Sequence, residues 1–255
     1  MTPIDTPAVL LVGGMGTRLR TVLPSTPKPL ASLGEASFLH LLLRQLQIQG
    51  IRQVIMCTGY LADQIEREFG DGRDWDVSIT YSRESQPMGT GGAVKLAQAY
   101  IGEAGEVLVM NGDSFTEVDF SDLFQFHRAK RGLISLATVK VDNASRYGTL
   151  RLDSNNRVLA FLEKTGSDAP GLINAGVYVF DRAVLDHIPD GASSLERDVF
   201  PRTIQHGIYA LSTKGVFIDI GTPEDYVRAQ KLHDELYAAA MKTSSVDREV
   251  SREAL

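Results

Sequence analysis

Ala8-Val9-Leu10-Leu11-Val12-Gly13-Gly14-Met15-Gly16-Thr17-Arg18-Leu19 is the stretch that decides how this chain is read. Its five opening apolar residues carry no charge, the pattern of a strand buried on both faces in a parallel sheet. The strand runs directly into glycines, which permit positive φ and let backbone N–H groups face an anion at the strand's carboxyl end. A dinucleotide-binding loop would read G-x-G-x-x-G and place an acidic residue after the second strand. Here Leu19 stands where the third glycine belongs, and Thr58-Gly59-Tyr60 follows the second strand. A P-loop would need G-x-x-x-x-G-K-[ST], which is absent. A tight strand-to-helix turn accounts for the glycines but leaves Arg18 unexplained, whereas a phosphate cradle accounts for both.

Outward from this loop the period alternates. Leu39, Leu42, Leu43 and Leu46 repeat at i, i+3, i+4 and i+7, with Ser37 as N-cap and Gly50 as stop, so the spacing predicts a helix over 38–49. Strands follow at 53–58, 77–82 and 107–110, and helices at 62–69 and 91–101. This β-α alternation predicts an α/β fold, a Rossmann-like, mostly parallel sheet with right-handed crossovers and helices on both faces. The second half changes character: 133–141, 148–153, 157–163 and 172–180 are strand-like, with Asn155-Asn156 as a hairpin turn. They predict antiparallel additions to the edge of the parallel sheet, forming a lid over one end. Helices near 181–187 and 195–206, strands at 208–212 and 216–219, and one helix from Pro223 to about Ala240, capped by Thr222, complete the pattern. Neither an internal repeat nor a low-complexity linker divides the chain. The expectation is one domain over 1–241, with a first part about 1–132 and a substrate-binding second part about 133–241, and a frayed tail at 242–255.

Composition narrows the function classes. The 255 residues are 43% apolar and 23% charged, which excludes a disordered or collagen-like chain. The single cysteine, Cys57, excludes an intrachain disulfide and a cysteine zinc cluster and suits a reducing, cytoplasmic setting. No apolar run approaches the ~20 residues of a membrane span. With 26 Lys+Arg against 32 Asp+Glu, the net charge of −6 argues against nucleic acid or a membrane as partner. Phosphates, if bound, must meet a local basic pocket.

Such a pocket has a second candidate wall. Pro27-Lys28-Pro29 places one lysine between two residues of fixed φ, which stiffens the backbone that aims its side chain. With this segment added to Gly13-Gly14-Met15-Gly16-Thr17-Arg18-Leu19, the sequence resembles the sugar-1-phosphate nucleotidylyltransferases over roughly residues 8–232. Gln86-Pro87-Met88-Gly89-Thr90-Gly91-Gly92-Ala93 is similar to the family's nucleobase loop, and Asn111-Gly112-Asp113 to the segment with its metal-binding aspartate. Tyr147-Gly148, Glu163-Lys164 and Asn174-Ala175-Gly176 are similar to its sugar-phosphate segments. Phe217-Ile218-Asp219-Ile220-Gly221-Thr222 is similar to the segment with the second metal-binding aspartate. Val12 replaces an alanine found in many relatives. Gly89–Ala93 and Ile218–Gly221 are most similar to the branch acting on heptose 1-phosphate with GTP.

The resemblance implies Arg18, Lys28 and Lys164 as catalytic residues, and Val12, Gly13, Gly14, Gly16, Thr17, Gly89, Thr90, Gly91, Asn111 and Gly112 as nucleotide-binding. It implies Tyr147, Gly148, Glu163, Lys164 and Asn174 for the sugar phosphate, and Asp113 and Asp219 for Mg²⁺, and so a nucleotide-binding part about 1–132 and an antiparallel sugar-binding lobe about 133–241. Residue chemistry gives independent grounds for the last pair. Each aspartate ends an apolar strand, and parallel strands would bring them to the glycine loop's edge of the sheet. Two carboxylates beside phosphate repel unless a cation joins them, and Mg²⁺ is held by one or two carboxylates plus substrate phosphates. Asp113 also fits a simple turn in Asn-Gly-Asp, whereas Asp219 between two isoleucines has less structural justification. The five histidines lack metal-ligand spacing, and Ser114 lacks a nucleophile elbow.

The expected reaction is guanylyl transfer from GTP to heptose 1-phosphate for surface polysaccharide, with mannose 1-phosphate as the alternative sugar. A catalytically silent nucleotide-sugar-binding subunit on the same fold is the rival, and a dinucleotide-dependent dehydrogenase the more distant one. Monomer and homo-oligomer both remain open.

Overall fold

The computed structural model describes residues 4–162 and 168–242. Glu163, Lys164 and all but the first residue of the expected tail therefore lie outside the described residues. In chain order the elements begin with β1 (Ala8–Leu11), the hairpin β2 (Ser32–Leu33) and β3 (Ala36–Ser37), α1 (Phe38–Ile48), β4 (Gln53–Thr58) and α2 (Ala62–Phe69). β5 (Ser78–Arg83), α3 (Gly89–Ile101), β6 (Glu106–Asn111), β7 (Ser114–Thr116) and α4 (Phe120–Lys130) follow. Next come β8 (Ile134–Val141), β9 (Thr149–Leu152), β10 (Val158–Leu162), β11 (Gly171–Asp181), α5 (Val184–His187) and α6 (Phe200–Thr203). The chain ends in β12 (Ile208–Thr213), β13 (Phe217–Asp219), α7 (Pro223–Lys231) and α8 (His233–Ala240).

β1 is the spine of a nine-stranded sheet among the described residues, parallel to β4 on one side and β6 on the other, with β5 parallel beyond β4. This is the α/β fold expected from the sequence. Alternation along β1 divides the core: Ala8, Leu10 and Val12 enter one apolar layer and Val9 the other. Both faces are covered, so Ala8, Val9 and Leu10 are fully buried, and only Leu11, at the strand's carboxyl end, is partly open. The antiparallel additions come through β11, whose later half pairs with β6 and whose outer edge pairs with β8. Ile173 of its first half meets Thr149 of β9, and β10 pairs beyond β9.

β11 changes partner at a bulge. Its register with β8 shifts between Asn174 and Tyr178, and Gly176 sits there at φ +76. A side chain at Gly176 would start 2.7 Å from Ser114 Oγ and 2.8 Å from Asn111 Nδ2, so only glycine lets β11 pass this close to the end of β6.

Three expectations are corrected. Segment 216–219 does not join the parallel sheet: β13 pairs antiparallel with β7 in a separate ribbon, Asp219 opposite Ser114. The expected helix from Pro223 to Ala240 is two helices, because Leu232 leaves helical geometry at ψ 10 and α8 turns back against α1. Thr222 caps α7 as expected, accepting the Asp225 N–H. A helix absent from the expected pattern, α4, is capped by Asp119 and buries Phe120, Leu123, Phe124 and His127. Two buried glutamines of α1 and its C-cap hold the segment leading to α4: Gln45 donates to Thr116 O at 2.8 Å and Gln49 to Val118 O at 2.9 Å.

Candidate active site

The carboxyl end of β1 opens into the glycine loop. Val12 donates to Cys57 O at 3.1 Å and Tyr60 to Gly13 O at 3.2 Å, so the loop starts pinned to β4. A Cβ at Gly13 would meet the Cys57 carbonyl and the Gly59 amide at 3.2 Å, which glycine avoids. Gly16 has φ +56 and lies over the stem of Lys28, and Leu19 closes the turn onto Gly16 O at 2.9 Å. Between them the N–H groups of Gly14 to Arg18 make no hydrogen bond to any described residue. Thr17 and Arg18 are exposed. This row of free donors borders a cavity of about 180 Å³ whose wall includes Gly14, Gly16, Thr17, Arg18, Lys28 and Asp113. Backbone donors and an arginine around one cavity form an anion cradle.

Lys28 is not an exposed loop lysine. It opens a short 3-10 turn over Lys28–Leu30 and is only 9% exposed. Its Nζ lies 2.6 Å from Asp113 Oδ2 and 3.7 Å from Asp219 Oδ1. Asp113 follows β6, while Asp219 ends β13; Ile220 N–H to Asp113 O at 3.0 Å joins the two segments. The two aspartates thus converge as expected, by way of the β7–β13 ribbon and not by parallel strand ends. Burial pushes the Asp219 carboxyl up from its ordinary value and the Asp113 charge adds to this, against Lys28 and the Gly221 N–H. Two carboxylates held by one ammonium, with an anion cradle beside them, form a donor set that fits a hard divalent cation completed by phosphate oxygens. Among the described residues no group of three or more His, Cys, Asp or Glu gathers into an all-protein metal cage.

A second cavity, of about 310 Å³, adjoins the first through Leu11, Gly14 and Asp113. Leu11, Cys57, Pro87 and Ala93 give it apolar walls, and Glu84, Thr90 and Asn111 give it polar ones. An apolar cleft with a few polar groups suits a flat heterocycle. Burial pushes the Cys57 thiol up strongly, so it is an inert wall and no nucleophile.

The remaining expected residues divide. Gly89, at φ +68, lines the second cavity with Thr90, whose hydroxyl also accepts the Leu195 N–H at 2.8 Å. Gly91 turns away: its N–H donates to Ser193 O at 2.8 Å and a Cβ there would lie 2.6 Å from Ser193 Oγ. Its glycine serves packing against 191–194, a segment with no motif of its own. Gly112 is buried likewise, with a Cβ position 2.6 Å from Val12 Cγ1. Val12 is 1% exposed but contributes to the first cavity's wall. Asn111 Oδ1 is buried without a hydrogen-bond partner among the described residues, a polar atom left for a ligand or water.

On the other side of Asp219, Tyr147 packs edge-on against Phe217, ring centroids 6.1 Å apart. Burial raises its phenol from the ordinary value and the Asp219 charge adds to this. Gly148 is exposed beside Leu162, the last described residue before Glu163 and Lys164. Asn174 is half-buried at the β11 bulge, donating to Tyr178 OH at 2.8 Å and accepting the Gly176 N–H at 3.1 Å. Sequence reading missed Arg146, which binds Asp225 through Nη1 at 2.7 Å and Nη2 at 2.9 Å and so ties the Tyr147 loop to α7.

Comparison with known proteins places the chain in a family. Residues 7–235 match the Nucleotidyl transferase family model. The chain is 41% identical over 225 residues to the mannose-1-phosphate guanylyltransferase of Mycobacterium tuberculosis, covering 87% of this chain and 62% of that protein. It is 40% identical over 226 residues to the D-glycero-alpha-D-manno-heptose 1-phosphate guanylyltransferase of Aneurinibacillus thermoaerophilus, covering 88% and 96%. The crystal structure of HddC from Yersinia pseudotuberculosis complexed with GMP-PN superposes with a TM-score of 0.80 at 34% identity, covering 89% and 98%.

Proposed function

Because the chain belongs to the nucleotidyl transferase family, we propose that it is a sugar-1-phosphate guanylyltransferase. A phosphate oxygen of the sugar 1-phosphate attacks the α-phosphorus of GTP, the α–β bond breaks, and GDP-sugar and pyrophosphate leave. The observation that carries this reading is the contact of Lys28 with both Asp113 and Asp219 at the edge of the glycine-loop cavity.

Phosphoryl chemistry of this kind needs positioning and charge stabilisation more than a protein nucleophile. The free N–H groups of Gly14 to Arg18, with the Arg18 guanidinium, bind the β- and γ-phosphates. Lys28, already dehydrated, places its ammonium where charge builds on the leaving pyrophosphate. Asp113 and Asp219 are the residues that would hold Mg²⁺, and a cation there would supply charge neutralisation to the facing phosphates. The apolar cavity beside β4 receives the base. This reading assigns the sugar to Tyr147, Gly148, Glu163 and Asn174, and its phosphate to Lys164. In this reading residues to about 132 bind nucleotide and those from about 133 to 241 bind sugar, within one domain. The substrates are cytoplasmic metabolites, and no helix among the described residues is long and apolar enough to cross a membrane.

The sugar we propose is a heptose 1-phosphate, as in the name of the Aneurinibacillus relative. Mannose 1-phosphate is the second reading, favoured by the mycobacterial relative at nearly equal identity. The two sugars differ by one exocyclic carbon and its hydroxyl, a difference worth about 1–3 kcal/mol in a typical pocket. The test crosses four nucleoside triphosphates with heptose, mannose and glucose 1-phosphates and follows pyrophosphate. Release only with GTP and a manno-configured sugar is expected. GDP-sugar binding without release in any combination would leave the silent-subunit reading instead.

A further inference from the structure

A third cavity, of about 570 Å³, lies between the end of β8, the loop 142–147 and the junction of α7 with α8. It shares no lining residue with the two cavities at the glycine loop. Its floor is apolar: Val139, Val141, Tyr147, Phe217 and Leu232 belong to the main core layer or pack against it. Its rim is cationic, with Lys140, Arg146 and Arg228 against the single carboxylate of Asp142. A basic mouth thus opens on a chain whose net charge is −6. The wall between is held locally: Asn143 Oδ1 accepts the Ser145 N–H at 2.9 Å, and Asn143 Nδ2 donates to Asp168 Oδ1 at 2.8 Å.

The fold engages only one of the three cations. Arg146 is committed to Asp225. Lys140 and Arg228 are exposed, and among the described residues neither has an ion-pair or hydrogen-bond partner. The Arg228 charge is felt by both Tyr147 and Asp225, which places its guanidinium at the same mouth as Arg146. Like charges gathered at one opening repel, and an anion between them removes the repulsion. Arginine grips phosphate oxygens in pairs, and lysine adds a point charge. A bare anion would use the rim and leave the apolar floor wet, whereas a cavity of this size takes a drug-sized molecule with an apolar or planar body. We propose that this cavity is a second small-molecule site of the chain, specific for a nucleoside phosphate. The phosphates lie between Lys140 and Arg228, and the nucleoside rests on the floor that includes Tyr147 and Phe217.

Calorimetric titration with GDP, which also suits the glycine-loop site, counts the sites. We expect two GDP per chain. The double variant Lys140→Gln/Arg228→Gln should weaken one of them roughly 10- to 100-fold, the effect of losing hydrogen bonds to charged groups. The other Kd should stay as in the parent chain, which also shows that the double variant is folded. Arg18→Ala should produce the reverse pattern. Two sites untouched by the double variant overturn the proposal, and so does a single site that only Arg18→Ala weakens. A single site that only the double variant weakens would uphold the proposal and defeat the phosphate reading of the glycine loop. In the Arg18→Ala background, inorganic pyrophosphate should bind the cavity more weakly than GDP, because it has no body for the apolar floor. Equal affinity would make this a bare-anion site and overturn the nucleoside assignment.

Discussion

Ile220 donates its N–H to the main-chain carbonyl of Asp113 at 3.0 Å. This one bond continues the β7–β13 pairing, in which Asp219 stands opposite Ser114, and it makes the spacing of the two candidate metal ligands a property of backbone. With the main chains beneath them held together, the two carboxylates lie close, and a cation between them offsets their repulsion. Lys28 does so here.

Lys28→Ala should therefore affect both rate and fold. Losing one aimed charge at a developing anion costs on the order of 10²–10³ in turnover. The variant also leaves Asp113 and Asp219, 41% and 30% exposed, facing each other without their ammonium. Breaking a fully buried pair costs about 3–5 kcal/mol; with this much solvent screening, a loss of about 1–2 kcal/mol is expected. Thermal melts should show the loss in chelator and a smaller one in millimolar Mg²⁺. An unchanged melting temperature in chelator would mean that the contacts with both carboxylates contribute nothing to folding.

Asp219→Asn should separate metal binding from folding. The folded-state pKa of Asp219 is raised by burial and by Asp113. A raised carboxyl favours folding below its unfolded value near pH ~3.9 and loses that contribution as pH rises through its folded value. At neutral pH ionisation is therefore a cost, which asparagine removes while still accepting the Gly221 N–H. Stability in chelator should stay level or rise. Activity should fall sharply and recover in part at high Mn²⁺, which tolerates nitrogen and weaker oxygen ligands better than Mg²⁺. A destabilised variant with an ordinary metal response would remove Asp219 from the metal site.

Asp225 has the opposite sign. Burial alone would raise its carboxyl, but hydrogen bonds from Arg146 and Thr222, with the Arg146 charge, hold it below the usual carboxylate range. Its contribution is present above the unfolded value of ~3.9 and is lost as pH falls through the lower folded value. Asp225→Asn should flatten the acid limb of a stability-against-pH curve below about pH 4. Arg146→Ala, at a half-exposed site, should cost about 1 kcal/mol. It should also raise the KM for sugar phosphate, because it frees the loop bearing Tyr147. If the acid limb is as steep in Asp225→Asn as in the parent chain, the pairing is not the source of the pH dependence.

Gly91→Ala distinguishes a packing glycine from a ligand-binding one. Its Cβ would lie 2.6 Å from Ser193 Oγ and 3.2 Å from Ser193 O, forcing segment 191–194 outward. Overpacking of this kind costs about 1–3 kcal/mol. The melting temperature should drop, while the Kd for GDP, measured well below the melt, should change little. The reverse pattern, a normal melt with lost nucleotide binding, would return Gly91 to the base site.

Much of this protein was legible in the chain itself. The apolar run at Ala8–Val12, the leucines of α1 behind Ser37, and Thr222 before Pro223 are local signals, because burial period and capping depend on residues within a few positions. They gave the parallel half of the sheet, its helices and the glycine loop to within two residues. The Gly-x-Gly-Thr-Arg and Pro-Lys-Pro segments likewise named Arg18 and Lys28 before any coordinates. Tertiary structure decided what those residues face. Lys28 and Asp113 are 85 positions apart, and nothing local says that the lysine is buried between two carboxylates. The strand carrying Asp219 is apolar enough for the main sheet, yet it joins a two-stranded ribbon, since pairing partners are chosen by long-range packing. Gly91 and Gly112 read as nucleotide-binding glycines until their packing neighbours, Ser193 and Val12, are known. Glu84 stands outside the segments quoted from the sequence, and only the folded chain puts its carboxylate on a cavity wall between the end of β5 and the turn into α3, because sequence records a residue's own chemistry while its desolvation and hydrogen bonds belong to its surroundings.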